Sequence, residues 1–206
     1  GDAPRSEGGL PLTERTIANR MQAVGYATGL IGKWHLGLAP AFHPTNRGFD
    51  EFHGFRAGSR SYFGNEALRG GNRAYEHADG TDRGSEVESK IVYLTDTIAD
   101  DAVRFIHEHA DRPSFLVVAF NAPHGPMHAT DEDLASIDPT LAPDRRRIYA
   151  AMMRSLDRAC GSIGDAIDAS GRDTLFIFVN DNGGATNNAS DNGPLRGMKG
   201  SQFEGG

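Results

Sequence analysis

The chain has 206 residues, and its 21 Lys and Arg residues against 28 Asp and Glu residues give a formal net charge of −7. A domain of this length buries roughly 70% of the surface that its unfolded chain exposes, so a substantial core is expected. The acidic balance argues against a protein that coats nucleic acid, and any anion-binding site must therefore be local. No apolar run of about 18 residues occurs that would predict a membrane-spanning helix.

The first predicted elements are a helix over residues 10–25 and a strand over residues 26–31. Thr13 is the expected helix cap, and Gly25 stands where a left-handed stop belongs. The strand ends in the sequence Gly-Lys-Trp-His-Leu-Gly at residues 32–37. This is a cluster of polar residues flanked by glycines, which is typical of a ligand-binding loop after a strand.

Lys33 and His35 alternate with Trp34, and extended backbone would place both on the same side of the chain. Residues 47–55 are rich in glycine and aromatic residues and are predicted to form a loop. Residues 56–88 contain few apolar groups and are expected to run over the surface. Four side chains of this segment either are solvated or touch a sugar or aryl group of a ligand: Arg60, Tyr62, Arg73 and His77.

The second half of the chain alternates long helices with apolar strands. Helices are predicted over residues 94–109 and 145–170, with a strand over residues 114–120 between them. Five successive apolar residues, 175–179, then predict a strand covered on both faces. The loop after that strand begins with Asp181.

The order of helices and strands predicts an α/β fold with a mainly parallel sheet sandwiched between helices. Each predicted strand is followed by polar residues, and the carboxyl ends of parallel strands are where ligands bind. We therefore expect five residues that are far apart in sequence to meet along one rim of the sheet: Lys33, His35, His124, Asp181 and Asn182.

Asp181 and Asn182 are adjacent hard oxygen donors, which suit a calcium ion that takes about six to eight oxygen ligands. The alternative is that Asp-Asn-Gly forms a turn without a ligand. Two donors do not make a complete site, so the residue types alone leave both interpretations open.

Cationic side chains of the types that neutralise a phosphate or sulfate ester also occur in these loops. They are Lys33, His35, His124 and Lys199. The alternative interpretation treats the two lysines as solvated surface charges and His124 as a loop histidine with an internal partner.

Taken together, the motifs resemble those of the type I sulfatases, which belong to the alkaline phosphatase superfamily. The matching stretches are Gly32–Gly37, Arg47–Phe52, Ala122–His124, Asp181–Gly184 and Leu195–Gly200 followed by Glu204–Gly206. Their order and spacing fit across nearly the whole chain. The resemblance implies that residues 1–206 form part of one catalytic domain, with a mainly parallel sheet between helices.

The resemblance also implies the role of each charged residue. Asp181 and Asn182 would bind Ca²⁺, with Mg²⁺ as the alternative ion, while Lys33 and Lys199 would hold the sulfate oxygens. The substrate would be an aryl or carbohydrate sulfate, and the products an alcohol and inorganic sulfate. A secreted or periplasmic location would follow from the same resemblance, while the negative net charge argues against a nucleic-acid partner.

Two histidines complete the implied machinery. His35 would assist a formylglycine nucleophile, which this family makes from a cysteine or serine. His124 would contact the sulfate and help the leaving oxygen to depart.

The sequence departs from the family at the nucleophile. No Cys-x-Pro-x-Arg or Ser-x-Pro-x-Arg motif occurs, and Cys160 is followed by Gly-Ser-Ile-Gly. The early pair of aspartates that supplies further metal ligands is also absent. We therefore expect an internal segment of a sulfatase, with the formylglycine upstream and both ends missing, and no turnover by the 206 residues alone.

Two alternatives follow from the same residues. One is a phosphodiesterase or phosphonate hydrolase of the same superfamily, against which the pattern of Lys33, His35 and Lys199 argues. The other is a sulfatase-like module without catalytic activity. A copy that had lost its activity would not need to keep every family residue type that could occur within these 206 residues, which argues against this alternative.

Overall fold

A computed structural model describes residues 8–64, 75–78, 85–86 and 91–206. These residues form two compact units, which are described separately. The first comprises Gly1–Asn121 with Ala159–Arg172, and the second comprises Ala122–Arg158 with Asp173–Gly206. The single domain expected over residues 1–206 stays a prediction.

The first unit contains a five-stranded sheet in the order β4-β3-β2-β1-β5. Strands β1 (Ala27–Lys33), β2 (Glu51–Phe55) and β5 (Ser114–Ala119) are parallel, with β1 in the middle. Strands β3 (Glu76–Ala78) and β4 (Ser85–Glu86) extend the sheet in antiparallel fashion beyond β2. The predicted α/β class, with parallel strands at its centre, is confirmed.

Helix α1 (Ile17–Ala23) begins later than the sequence predicted. The cap is Thr16, not Thr13, and Thr16 and Asn19 form a reciprocal capping box in which each backbone amide donates to the other's side chain. The Thr16 hydroxyl also contacts the carbonyl oxygen of Arg47 at 2.8 Å. This tertiary contact favours Thr16 as the cap and is invisible in the local sequence.

The prediction of a loop over residues 47–55 was wrong, because its last five residues form β2. Glycine and aromatic residues are typical of loops, but here Gly54 lies opposite Gly32 in the parallel ladder with β1. The Arg47 side chain fixes the approach to this strand, since it donates to the carbonyl oxygens of Pro11 and Glu14 at 3.0 Å each. Tertiary pairing therefore overrides local propensity in this segment.

Helices α2 (Leu94–Glu108) and α4 (Asp144–Ser170) match the two predicted helices closely. A short helix α3 (Asp131–Ala135) was not predicted. The ring of Phe105 on α2 fills the space where a side chain at Gly29 would lie, so the helix packs directly on β1. The core beneath β1 and β2 is formed by Ala18, Leu30, Trp34, Phe49 and Phe52.

A charged cluster also joins α2 to β2. Glu51 lies 2.7 Å from His109 Nε2 and 3.3 Å from the guanidinium of Arg104. His53 lies 3.5 Å from a carboxylate oxygen of Asp101. These polar contacts link one face of β2 to α2 and the residue that follows it at the edge of the core.

The buried strand predicted over residues 175–179 was wrong. This stretch, in the second unit, has no strand pairing with any residue that the structure describes. Its side chains are exposed, from 55% for Phe176 to 86% for Leu175. An apolar run is buried as a strand only where a neighbouring strand supplies hydrogen bonds, and the local composition does not reveal whether that neighbour is present.

Asp133 anchors α3 to α4 within the second unit. Its side chain is 2% exposed, and Arg158 donates to both carboxylate oxygens, at 2.7 and 3.1 Å. The hydrogen bonds from Arg158, together with one from the Thr130 hydroxyl, lower the pKa of the Asp133 carboxyl against the opposing effect of burial. The folded state therefore favours the charged carboxylate.

Replacing Asp133 by Asn is expected to lower the free energy of unfolding by about 2 kcal/mol at neutral pH, because it removes a charge-assisted hydrogen bond. Since the pKa is lower in the folded state, this contribution is full above the unfolded pKa of about 3.9 and is lost as the pH falls through the folded-state pKa. Urea denaturation at pH 7 and in acid measures both effects.

The control is Asp157→Asn, which removes an exposed carboxylate from α4. This control should cost less than about 0.5 kcal/mol. A loss for Asp133→Asn that keeps its full size in acid would contradict the assignment to the Arg158 pair.

Candidate functional site

Glycines bring the carboxyl ends of three parallel strands together in the first unit. Gly32 has a left-handed backbone with φ of 106°, and a Cβ atom there would collide with the carbonyl oxygen of Ala119 on β5. A Cβ at Gly54 on β2 would collide with the carbonyl oxygen of Gly32. Lys33, which is half-buried, ends β1 directly after this contact. Its position is the one at which ligands bind in open parallel sheets.

The chain changes direction at His35. This residue has φ of 55°, a left-handed conformation that is uncommon outside glycine. The extended backbone assumed for residues 33–35 is therefore not observed at His35, and the expectation that Lys33 and His35 face the same side stays a prediction. The intervening Trp34 is the anchor, since it is 8% exposed and its Nε1 donates to the Phe42 carbonyl oxygen at 2.8 Å. His35 itself is exposed, and the buried Trp34 beside it helps to hold its strained backbone conformation. Strained backbone conformations of this kind cluster at functional sites.

Replacing His35 by Gly is expected to raise the free energy of unfolding by about 0.5–1 kcal/mol, because glycine relieves the left-handed strain but gains freedom in the unfolded chain. Ala189→Gly is a matched reference, since Ala189 has φ of 64°. Chemical denaturation of both variants measures the effect. A loss of stability for His35→Gly beside a gain for Ala189→Gly would contradict strain at His35.

The Asp-Asn-Gly-Gly loop lies in the second unit. Backbone hydrogen bonds join it to the two motifs at the end of the chain, Leu195–Gly200 and Glu204–Gly206. The Gly183 amide donates to the Gly206 carbonyl oxygen at 3.1 Å, and the Lys199 amide donates to the Gly184 carbonyl oxygen at 3.2 Å. Gly183 has no room for a Cβ atom against Gly205. We name residues 181–184 and 192–206 the loop cluster.

The side chain of Asn192 braces the loop cluster. Its Oδ1 accepts from the Gly184 amide at 2.7 Å, and its Nδ2 donates to the Gly184 carbonyl oxygen at 3.0 Å. This pair of bonds satisfies both backbone groups of Gly184. Asn192 was not predicted as a site residue, because an amide two residues before a proline is typical of an ordinary turn.

His124 lies beside the same loops. Asn188 lies in the turn that follows the Asp-Asn-Gly-Gly sequence, and its Nδ2 donates to the Pro123 carbonyl oxygen at 3.4 Å. The His124 Nδ1 lies 2.7 Å from the Gly125 carbonyl oxygen, so this nitrogen carries the proton. His124 is half-buried, whereas Lys199 is exposed.

The predicted site residues therefore fall into two groups. Lys33 and His35 follow β1 in the first unit, while His124, Asp181, Asn182 and Lys199 belong to loops of the second unit that hydrogen bonds connect. The meeting of the two groups at a shared rim stays a prediction.

Asp181 and Asn182 are exposed at the start of the loop cluster. A carboxylate and an amide oxygen fit the chemistry of a hard cation, but such an ion takes about six to eight oxygen ligands. Among the residues that the structure describes, no group of three or more His, Cys, Asp or Glu side chains is arranged to hold a metal ion. The residues therefore fit a cation by donor type and supply part of a coordination shell.

The segment predicted to run over the surface is partly buried. Arg60 is 1% exposed and lies between the rings of Phe55 and Tyr75, at 6.0 and 5.9 Å from their centroids. Tyr62 stacks on Tyr93 in the core. Neither interpretation of Arg60 and Tyr62, as solvated or as ligand-binding residues, is therefore correct. Arg73 and the side chain of His77 lie outside the described residues.

Sequence reasoning also missed Asn121, which lies two residues after the end of β5. Its side chain is 2% exposed, and its Nδ2 donates to the Arg60 carbonyl oxygen at 3.3 Å. The Oδ1 atom has no hydrogen-bond partner among the described residues. The signal that was available is a polar residue immediately after an apolar strand.

Comparison with known proteins identifies the family. A family model described as Sulfatase matches residues 2–206. The chain belongs to the sulfatase family. It is 32% identical to arylsulfatase J of Mus musculus, over 96% of the chain and 33% of that protein. It is also 31% identical to N-acetylgalactosamine-6-sulfatase of Homo sapiens, over 97% of the chain and 39% of that protein.

Solved protein structures share the fold. The crystal structure of Ps i-CgsB in complex with k-i-k-neocarrahexaose has a TM-score of 0.89 and 35% identity, over 98% of this chain and 47% of that one. The PsFucS1 sulfatase from Pseudoalteromonas sp. has a TM-score of 0.74 at 22% identity, over 94% of this chain and 43% of that one. This sulfatase chain thus spans less than half the length of these relatives. Among its described residues, no helix is both long and apolar enough to cross a membrane.

Proposed function

We propose that this sulfatase chain supplies the anion-binding and part of the metal-binding machinery of an enzyme that hydrolyses a sulfate monoester. The observation that carries the proposal is the loop cluster, in which backbone hydrogen bonds hold Lys199 against the Asp-Asn-Gly-Gly loop. A cation beside an acid and amide pair is the arrangement that an anionic ester and its counter-ion require.

Asp181 and Asn182 are the proposed metal ligands in this chain, with Ca²⁺ as the ion and Mg²⁺ as the alternative. When bound, the ion neutralises negative charge on sulfate oxygens. The ammonium groups of Lys33 and Lys199 hold the remaining sulfate oxygens through charge-assisted hydrogen bonds. Because sulfate carries its charge on several oxygens, donors from separate loops can share one anion.

The two histidines handle protons in this proposal. His124 gives a proton to the oxygen of the departing alcohol as the sulfur–oxygen bond breaks, and its half-buried position favours a defined contact with the ester. His35 exchanges a proton with the nucleophile, which is a formylglycine hydrate outside these 206 residues. The left-handed backbone of His35 lies two residues after the end of β1.

The proposed substrate is an aryl or carbohydrate sulfate, and the names of the relatives support both classes. Family membership disfavours the phosphodiesterase and phosphonate hydrolase alternative, since the curated relatives that match at 31–32% identity are sulfatases. A catalytically inactive sulfatase-like module is the remaining rival, and activity assays distinguish the two. A secreted or periplasmic location belongs to the same proposal.

In the full-length protein, Lys199→Ala is expected to lower kcat for an aryl sulfate by about 10²- to 10³-fold, because it removes a donor to developing negative charge. Arg20→Ala, which removes an exposed cation from α1, is the control and should leave kcat unchanged. Steady-state kinetics at saturating substrate measures the change.

The 206 residues alone are expected to have no turnover in the same assay, because they lack the motif that provides the nucleophile. Turnover by this segment would refute that part of the proposal. Equal activity of Lys199→Ala and the parent protein would refute the role of Lys199.

Asp181→Asn in the full-length protein is expected to weaken calcium binding by at least about 10-fold, because a neutral amide replaces a charged oxygen ligand. Titration calorimetry of the metal-free protein with calcium chloride measures the affinity. Asp191→Asn is the matched control, since Asp191 is an exposed acid whose Oδ1 accepts from the Gly193 amide at 2.9 Å. An unchanged affinity for Asp181→Asn would remove Asp181 from the coordination shell.

A further inference from the structure

The imidazole of His35 rests on the backbone of Gly58. A Cβ atom built on Gly58 would lie 2.6 Å from His35 Nε2, 2.8 Å from Cε1 and 3.1 Å from Cδ2. Contacts of carbon atoms normally occur at about 3.5–4.0 Å. Glycine is therefore the one residue at position 58 that leaves the ring where the structure has it.

The contact is held by the backbone on both sides. The Trp34 amide donates to the Phe55 carbonyl oxygen at 3.0 Å, and the His35 amide donates to the Arg56 carbonyl oxygen at 3.2 Å. The Arg56 guanidinium returns a hydrogen bond to the Leu38 carbonyl oxygen at 2.6 Å. The segment after β2 is thus fastened to the segment after β1.

Two fastened segments cannot separate easily to make room for a larger residue. The His35 backbone cannot adjust freely either, because its left-handed conformation lies in a small allowed region. Additional volume at position 58 must therefore displace the imidazole, whose atoms are the nearest ones to the added Cβ.

We propose that Gly58 is a positioning residue whose missing side chain sets the location of the His35 imidazole. Its effect on turnover rests on the proposed function, in which His35 exchanges a proton with the nucleophile. Gly58 itself makes no contact with the substrate in this proposal and acts only through the ring. Displacement of a catalytic group by about 1 Å can cost up to about 100-fold in rate.

The first test follows the ring itself. Full-length protein is labelled with ¹³C at the Cε1 atoms of histidine, and the His35 signal is assigned by its loss in His35→Ala. Gly58→Ala is expected to shift this signal and change its pH titration while the other histidine signals stay in place. Gly161→Ala is the control, since Gly161 on α4 has no atom within 4 Å of an added Cβ. An unchanged His35 signal in Gly58→Ala would overturn the proposal.

The second test is a double-mutant cycle in kinetics and stability. Gly58→Ala is expected to lower kcat for an aryl sulfate by about 10- to 100-fold with little change in KM. In the His35→Ala background, where the ring is absent, Gly58→Ala should change neither kcat nor the denaturation midpoint. Equal losses in both backgrounds would show a merely structural role and contradict the proposal.

The two tests separate this inference from the proposed function. If the parent full-length protein hydrolyses no sulfate ester, the proposed function fails, while the histidine spectra and the stability cycle still decide the role of Gly58. If Gly58→Ala alone does not fold, the double variant with His35→Ala decides. Folding of the double variant supports the contact, and its failure to fold overturns it.

Discussion

The close approach of three parallel strands at Gly32 is the constraint on which the first unit depends. Gly32 lies opposite both Gly54 and Ala119, so the ends of β1, β2 and β5 meet where a side chain would collide with a carbonyl oxygen. Strand β1 ends at Lys33, one residue after this contact, and the left-handed turn at His35 follows. The site residues of this unit are therefore set by backbone geometry, while packing of Trp34 and Phe105 keeps that geometry in place.

In the second unit, loops and not strand ends position the candidate site residues. Its candidate site residues come from three motifs. Backbone hydrogen bonds join two of these motifs within the loop cluster. A hydrogen bond from the Asn188 side chain to the Pro123 carbonyl oxygen connects the loop of His124. Glycines permit these bonds, since Gly183 lies against Gly205 without space for a side chain. In the proposed function, these loops supply local cations in a chain whose net charge is negative.

Local sequence patterns predicted the elements whose formation depends mainly on residues that are close together in the chain. The apolar stripes of α2 and α4 and the run of β5 were located within one residue of their observed ends. Features that depend on distant partners were missed or wrong. Strand β2 looks like a loop until Gly54 meets Gly32, and residues 175–179 look like a strand although no described strand pairs with them. The turn at His35 and its contact with Gly58 are tertiary, and no periodicity reports them.

The most direct test of the whole account is a crystal structure of the full-length protein with calcium and inorganic sulfate. We expect one bound sulfate that Lys33, His124 and Lys199 contact together. Calcium–oxygen bonds of about 2.5 Å and one tetrahedral anion allow His124 and Lys199 to lie within about 15 Å of Asp181. A separation greater than this, or a sulfate bound away from these residues, would contradict the account.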